Sequence, residues 1–581
     1  MDKQIRRRTN INNVQTSTTS QLKFSNSIHP ILQQIYAARG LKDSMELEHK
    51  LAKMHSPSQL LGLELASQLL FTAIKDDKRI IVVGDFDADG ATSSALMMSG
   101  LNLLGSTNHD FIVPNRFEYG YGLTPEISDI AHQHGAEVIV TVDNGISCLA
   151  GVARAKELGL TVIVTDHHLP GEQTPNADAI VNPNQHGCNF PSKALAGVGV
   201  AFYLMLALRQ VMRDENWFAT KQINEPNLAQ LLDLVALGTV ADVVGLDQNN
   251  RILVEQGLKR IRAGATRPGI QALIEISGKN QQQLVASDFG FGLGPRINAA
   301  GRLDDMALGI RCLLASDLYQ ARMMAAQLDD LNKTRREIEH GMQVEAEQVF
   351  KQLNLNRDDL PSAIALYQDD WHQGVIGIVA GRLKEKFHRP TIVFAQGDDG
   401  EIKGSARSIK GLHIRDLLEN IDSQYPGLIL KFGGHAMAAG LSIKEQDFDK
   451  FQQLFSQYAN KWLTAEMLEN VVLSDGELGK QEFTLDFARL LRESGPWGQN
   501  FPEPIFDNQF RLIQQRIVGD KHLKMVVEVD GLAVDAIAFN IDVKQWPNQQ
   551  CQWIHLAYKL DINEFRGKQT LQLLVDHLQA L

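Results

Sequence analysis

The chain has 581 residues, too many for a single hydrophobic core, so several domains are expected. An apolar fraction of 44% and a charged fraction of 22% are those of a soluble globular protein and exclude a disordered or fibrous chain. A formal net charge of −12 argues against coating nucleic acid through bulk positive charge, but leaves room for a local basic groove.

The N-terminus carries Arg6-Arg7-Arg8, followed by polar residues rather than an apolar h-region, so no secretory signal is expected. Residues 1–70 read as a polar tail and short helices. The longest weakly polar run, Ala194–Leu208, is shorter than the roughly 20 residues a bilayer needs, so no membrane partner is expected. Cys148, Cys188, Cys312 and Cys551 are scattered and form no CxxC pair, which suits buried thiols in a reducing cytoplasm.

From about residue 75 to 250, strand-like runs alternate with helical segments, the pattern of a parallel sheet with helices on its faces. Ile80-Ile-Val-Val83 runs into Asp85-Phe-Asp87-Ala-Asp89-Gly90, and Glu137–Val142 runs into Asp143-Asn144-Gly145. Leu160–Thr165 runs into Asp166-His167-His168, and Leu237–Ala241, taken as a further strand-like run, into Asp242. A single acid after a strand is explained by a loop cap. Several together sit where ligands gather in open α/β sheets, and their carboxylates repel one another unless a cation lies between them. Oxygen and imidazole donors without a cysteine set suit Mn²⁺ or Mg²⁺ rather than structural zinc.

Asn115-Arg116-Phe117-Glu-Tyr119-Gly-Tyr121 mixes a cation with aromatics and glycine. It reads either as a base-stacking platform, at about 1–3 kcal/mol per base, or as a packed aromatic turn. Gly197-Val-Gly199 precedes a helix and offers backbone N–H groups to a phosphate, or a tight packing turn. Arg296, Asn298 and Arg302 are read as a glycine-flanked loop that holds phosphates, with a structural ion pair as the other reading. Ser93 and Ser94 have no oriented His-Asp pair and read as helix-start caps.

A polar helix with one apolar stripe (Leu328, Leu331, Ile338, Met342, Ala346, Val349) is expected over 316–353, connecting two lobes. Ser362–Leu366 and Pro390–Phe394 mark a second α/β lobe over 354–465. Residues 466–581, with Lys524–Val529 and Val534–Ala538, read as a small β-barrel. The fold class is α/β.

Asp87-Ala-Asp89-Gly90, Val142-Asp143-Asn144-Gly145, Asp166-His167-His168 and Gly238-Thr-Val-Ala-Asp242 resemble the four catalytic motifs of the DHH phosphoesterase superfamily. Gly433-Gly434-His435-Ala-Met-Ala-Ala439-Gly440 resembles the GGH motif of the associated DHHA1 domain. With Pro295-Arg296-Ile-Asn298-Ala-Ala-Gly301-Arg302, Ser405-Ala-Arg407-Ser408 and Pro496-Trp497-Gly498, the ordered set is similar to that of the superfamily's bacterial single-strand-specific 5′→3′ DNA exonucleases. The resemblance covers nearly all of the chain from about residue 70.

It implies a DHH domain over 71–315, the connecting helix, a smaller α/β DHHA1 domain and a C-terminal OB-fold barrel. It also implies two divalent metals and hydrolysis of a terminal phosphodiester to nucleoside 5′-monophosphates in DNA recombination and repair. The substrate is then single-stranded DNA; a single-strand-binding protein and a helicase are implied partners of a monomer. Asp87 and Asp89, at alternate positions beyond a strand end, are taken to hold one metal each, with Asp143 bridging and Asp242 and His167 completing the set. Asp85 stands near where several relatives carry a metal-binding His, and whether it is a ligand stays open. His168 is assigned to the phosphate or leaving group, Asp166 to orienting an imidazole, and Ser405, Arg407, Gly434 and His435 to a substrate pocket. Two alternatives stand beside this: a superfamily phosphoesterase acting on short oligonucleotides or cyclic dinucleotides, and a catalytically inactive replication scaffold. The former are generally shorter and lack a module like 470–581, and the latter lose metal ligands.

Overall fold

A computed structural model of the protein describes residues 3–8, 23–115, 118–352 and 361–581, apart from the side chains of 349–352. Arg116 and Phe117 lie outside the described residues. The contacts divide the chain into two compact units, Lys333–Ser474 with the first few described residues, and Arg7–Asn332 with Asp475–Leu581.

The larger unit is built on five parallel strands: β1 (Ile80–Gly84), β2 (His109–Ile112), β3 (Val138–Val142), β4 (Thr161–Thr165) and β5 (Ala179–Val181), in the order β2-β1-β3-β4-β5. Every residue of β1 and β3 is buried, because helices cover both faces; this is why these strands read as unbroken apolar runs. Helix α1 (Ala88–Leu103) follows β1 and is buried along almost its whole length, so it shows no polar face. Its N-cap is Asp87, whose carboxylate accepts from the Asp89 and Gly90 N–H groups at 2.9 and 3.0 Å. Ser93 and Ser94 are not caps; they lie inside α1 and are fully buried. Helix α2 (Gly197–Asp214) packs on α1, as does α3 (Leu232–Ala241).

Two elements differ from the sequence expectation. Leu237–Ala241 is the end of helix α3, not a strand, and Asp242 is its C-cap. All residues from Leu232 to Thr239 are buried, and an apolar run buried on all sides has no period that separates helix from strand. Arg296, Asn298 and Arg302 lie on a helix, α4 (Gly294–Leu303), not in a loop; a single π-turn, Phe289–Leu293, precedes it. Glycines suggested irregular chain there, yet Gly301 serves close packing: a Cβ on it would lie 1.9 Å from the Phe86 carbonyl oxygen.

The same unit contains a closed five-stranded barrel of β11 (Phe506–Val518), β12 (His522–Val529), β13 (Leu532–Ala538), β14 (Trp553–Phe565) and β15 (Lys568–Ala580). The smaller unit carries β6 (Ile364–Tyr367), β7 (Thr391–Gln396), β8 (Glu401–Arg407), β9 (Lys431–Gly434) and β10 (Ala438–Lys444), in the order β9-β10-β8-β7-β6. Helix α5 (Leu318–Gln352) is the long helix expected before it. Among the described residues no helix is long and apolar enough to cross a membrane.

Helix α3 is anchored by a buried ion pair. Asp233, at 1% exposure, accepts from the Arg267 guanidinium at 3.0 and 3.1 Å, from the Arg267 N–H and from Thr266 Oγ1. Asp233→Ala leaves a largely buried guanidinium without its counter-charge and should cost about 3–5 kcal/mol. The expected outcome is a thermal midpoint several degrees lower; an unchanged midpoint contradicts the anchoring role.

Candidate metal centre

The centre follows from strand register. Gly84 of β1 pairs with Val142 of β3, and Val142 pairs with Thr165 of β4. The three strands therefore end level, and the next residue of each is an aspartate: Asp85, Asp143 and Asp166. Asp143 leaves its strand with φ +61, a left-handed turn that Asp tolerates better than most residues. Asp87 and Asp89 come from the cap and first turn of α1, and Asp242 arrives from the end of α3.

Among the described residues, ligand atoms within 4.8 Å of one another form three overlapping groups: Asp85, Asp87 and Asp143; Asp89, His167 and Asp242; and Asp143, His167 and His168. His167 Nε2 lies 3.1 Å from Asp143 Oδ1 and 3.5 Å from Asp242 Oδ2. The six residues expected to hold metal are thus brought together, along with His168. Asp166 is engaged differently. Its Oδ1 accepts from His168 Nδ1 and from the His167 and His168 N–H groups, and its Oδ2 from the Ile146 N–H. It holds the His-His loop and fixes the His168 ring.

Charge makes the cluster a cation site. Burial, and then the neighbouring carboxylates, push Asp143 and Asp242 well above the usual carboxylate range, and the same causes raise Asp89 to about 7. Burial alone would lower His168, but the bond to Asp166 and the surrounding acids outweigh it and raise the imidazole to about 9. Burial likewise pushes Asp166 up, and the His168 bond reverses this to leave it low. Asp143 Oδ1 is buried yet accepts no hydrogen bond, a donor atom aimed at the pocket. A hard divalent cation fits this donor set.

Several candidate nucleic-acid contacts have local structural partners. Gly197 and Val198 do not present their N–H groups to a ligand; they donate to the two Asp89 oxygens at 2.7 and 3.0 Å. Position 197 must be glycine, since a Cβ there would sit 2.6 Å from Asp143 Oδ1. Arg296 pairs with Asp329 at 2.8 Å and donates to the Gly292 carbonyl, so its guanidinium is engaged within the fold. Asn298 Oδ1 accepts from the Ala88 N–H at 2.8 Å, which props the first acidic motif. Arg302 lies in the last turn of α4.

Tyr121 lies at the rim, 43% exposed; its hydroxyl donates to the Asp143 carbonyl and its ring meets Phe86 and His168 edge-on. Tyr119 packs on the core beneath the sheet face.

In the smaller unit, register again gathers the expected residues. Gly440, Ala439 and Ala438 pair with Ser405, Ala406 and Arg407, so the hairpin carrying Gly434 and His435 lies beside β8. Arg407 donates to Ser405 Oγ and is itself held by burial below its usual range. Gly434 has φ +142, and a Cβ on it would meet the Ala438 carbonyl oxygen at 2.5 Å.

Asn182 and Asn184 escaped the sequence reading, and Asn144 entered it only as part of its motif, with no role. Asn144 Nδ2 donates to the Val83 and Val142 carbonyls and locks two strand ends together. Asn182 and Asn184 donate to the His168 and His167 carbonyls. The signal available was Val181-Asn182-Pro183-Asn184, polar amides directly after a buried strand.

Residues 79–239 match the DHH family, N-terminal domain, and residues 360–461 match the DHHA1 domain. The acid-lined sheet end is therefore the site of a DHH-family protein. Residues 474–577 match the RecJ OB domain. The single-stranded-DNA-specific exonuclease RecJ of Escherichia coli strain K12 is 58% identical over 551 residues, covering 94% of this chain and 96% of that protein. RecJ of Thermus thermophilus is 33% identical over 557 residues, covering 92% of this chain and 75% of that protein. The crystal structure of T. thermophilus RecJ in complex with Mn²⁺ matches with a TM-score of 0.79 at 30% identity, covering 96% of this chain and 76% of that one. A second structure of T. thermophilus RecJ, in complex with Mg²⁺, matches with a TM-score of 0.73 at 26% identity, covering 97% of this chain and 79% of that one. The chain belongs to the RecJ family.

The raised carboxylates set a pH dependence. An acid with a raised native pKa is still protonated where it would ordinarily be ionised, and a cation binds only the ionised form. Below about 7, where Asp89 takes up its proton, metal binding must expel protons, and affinity should fall by about tenfold per pH unit for each proton released. Calorimetry of Mn²⁺ binding at pH 6.5 in buffers of different ionisation enthalpy should show net proton release. Binding that releases none contradicts the upward push that burial and mutual repulsion give these carboxylates.

Proposed function

We propose that this chain is a single-stranded-DNA-specific exonuclease. It hydrolyses the terminal phosphodiester 5′→3′ and releases nucleoside 5′-monophosphates in DNA recombination and repair. The observation that carries this is the convergence of Asp85, Asp87, Asp89, Asp143, Asp242 and His167 on one pocket. The end-to-end match to proteins named as exonucleases of this specificity supports it.

Asp85, Asp87, Asp89, Asp143, Asp242 and His167 would hold two divalent ions, Mn²⁺ or Mg²⁺. When bound, such a pair supplies neutralising charge to the phosphodiester and lowers the pKa of a water to make the nucleophile. Asp85 stands in for the imidazole that several relatives place nearby. Asp166 spends its carboxylate on the His168 ring and on backbone N–H groups, so it orients rather than ligates. His168, kept protonated by that bond, presents a charged N–H to a phosphate oxygen or the leaving oxygen. Tyr121 lines the rim beside it.

Arg302, Ser405, Arg407, Gly434 and His435, with Arg116, Phe117 and Tyr119, are proposed as DNA contacts. Arg296, Asn298 and Gly197 serve instead to fix the site. The enzyme acts in the cytoplasm as a monomer, on strands opened by a helicase and covered by single-strand-binding protein. An oligonucleotide or cyclic-dinucleotide phosphodiesterase is disfavoured by the C-terminal barrel, and an inactive scaffold by the retention of every carboxylate in the pocket.

With Mn²⁺, the protein should release labelled mononucleotides from 5′-labelled linear single strands and leave circular single strands intact. Asp143→Ala should keep the fold and lower the rate by more than the roughly 10–100-fold that loss of an outer partner costs. Degradation of circles, or near-normal turnover of Asp143→Ala at saturating metal, removes the assignment.

A further inference from the structure

The loop that follows Asp242 is held from outside by residues that touch neither the pocket nor any group assigned to the reaction. Val243 has φ +63, an unfavourable left-handed conformation for a β-branched residue, so its surroundings must impose it. Three contacts fix the chain beyond it. Asn250 Nδ2 donates to the Gly245 carbonyl at 2.9 Å and also to the Ala194 carbonyl at 2.7 Å. Arg251 Nη1 donates to the Leu246 carbonyl at 3.0 Å. The Leu246 N–H donates to the Gln499 carbonyl at 2.8 Å.

Asn250 therefore ties two backbone segments together. One leaves Asp242; the other leads into Gly197 and Val198, whose N–H groups grip Asp89. Gln499 belongs to a tight turn, Gly498–Phe501, closed by reciprocal backbone bonds of 2.9 and 3.1 Å. This turn includes part of the Pro496-Trp497-Gly498 motif, which the chemistry of the pocket leaves without a role. The turn is rigid. The Arg251 guanidinium lies 4.4 Å over the Phe501 ring, and Phe501 stacks on Trp497 at 5.1 Å. Trp497 Nε1 donates to the Leu491 carbonyl at 2.8 Å. A Cβ on Gly498 would come within 2.7 Å of Leu246 Cδ1, so the turn packs closely against the loop.

We propose that Asn250 and Arg251, backed by the Trp497–Phe501 turn, are positioning residues that set Asp242 and the Asp89-gripping end of α2 for metal binding. The segment leading into the barrel is on this account part of the metal centre's support. The inference rests on Asp242 being a metal ligand.

The test measures Mn²⁺ affinity of the full chain by electron paramagnetic resonance, and kcat against Mn²⁺ concentration, for Asn250→Ala, Arg251→Lys and Asp242→Asn. Arg251→Lys keeps the charge and most of the bulk, and guards against an Asn250→Ala protein that does not fold. The expected result is Mn²⁺ binding weakened about 10–100-fold in the Asn250 and Arg251 variants, with kcat recovered at saturating Mn²⁺. Wild-type affinity in either folded variant, beside weakened binding in Asp242→Asn, overturns the proposal. So does a loss of kcat with affinity unchanged. Wild-type Mn²⁺ binding in Asp242→Asn shows instead that the ligand assignment itself has failed.

Discussion

Mutual repulsion among buried carboxylates is the constraint around which this protein is organised. Three parallel strands end level with one another, and each is followed by an aspartate. Two further aspartates enter from α1 and another from α3. Without a counter-charge, such a cluster opposes its own folding: burial first, and then repulsion between neighbours, displaces Asp89, Asp143 and Asp242 upward. The fold tolerates it by distributing support. Asp87 caps α1, Asp89 takes the N–H groups of α2, and Asp166 is saturated with donors. The same bonds that make the acids bearable also fix where they point.

Backbone amides do most of this work. Asp89 accepts from the first turn of α2, where the helix dipole favours negative charge. Gly197 is forced because Asp143 approaches that backbone too closely for a side chain. Amide side chains complete the frame: Asn144 across β1 and β3, Asn182 and Asn184 under the two histidines, and Asn298 against Ala88. Much of the site is thus placed by groups that carry no charge, with Asp166 the ionised exception that holds the His-His loop.

Much of this was legible in the sequence, for physical reasons. Buried parallel strands announce themselves as apolar runs, and an acid after each run marks the ligand-binding end of such a sheet. The long helix before the second lobe showed its stripe, and the barrel strands β12 and β13 appeared as short apolar runs. What was not legible depended on contacts between distant segments. Leu237–Ala241 looked like a strand because a helix buried on every side loses its amphipathic period. The α4 residues looked like a loop because Gly301 serves packing against Phe86 rather than flexibility. Arg296 has Asp329 beside it, an ion pair between distant segments that no local pattern announces. Asn182, Asn184 and Asn250 gave no periodic signal, since an amide that bonds a remote carbonyl leaves no local trace.

The most direct measurement of the central claim is anomalous scattering at the manganese edge from crystals grown with Mn²⁺. Two anomalous peaks should lie among Asp85, Asp87, Asp89, Asp143, His167 and Asp242. An absence of peaks there, or these side chains turned away from a common centre, would contradict the account.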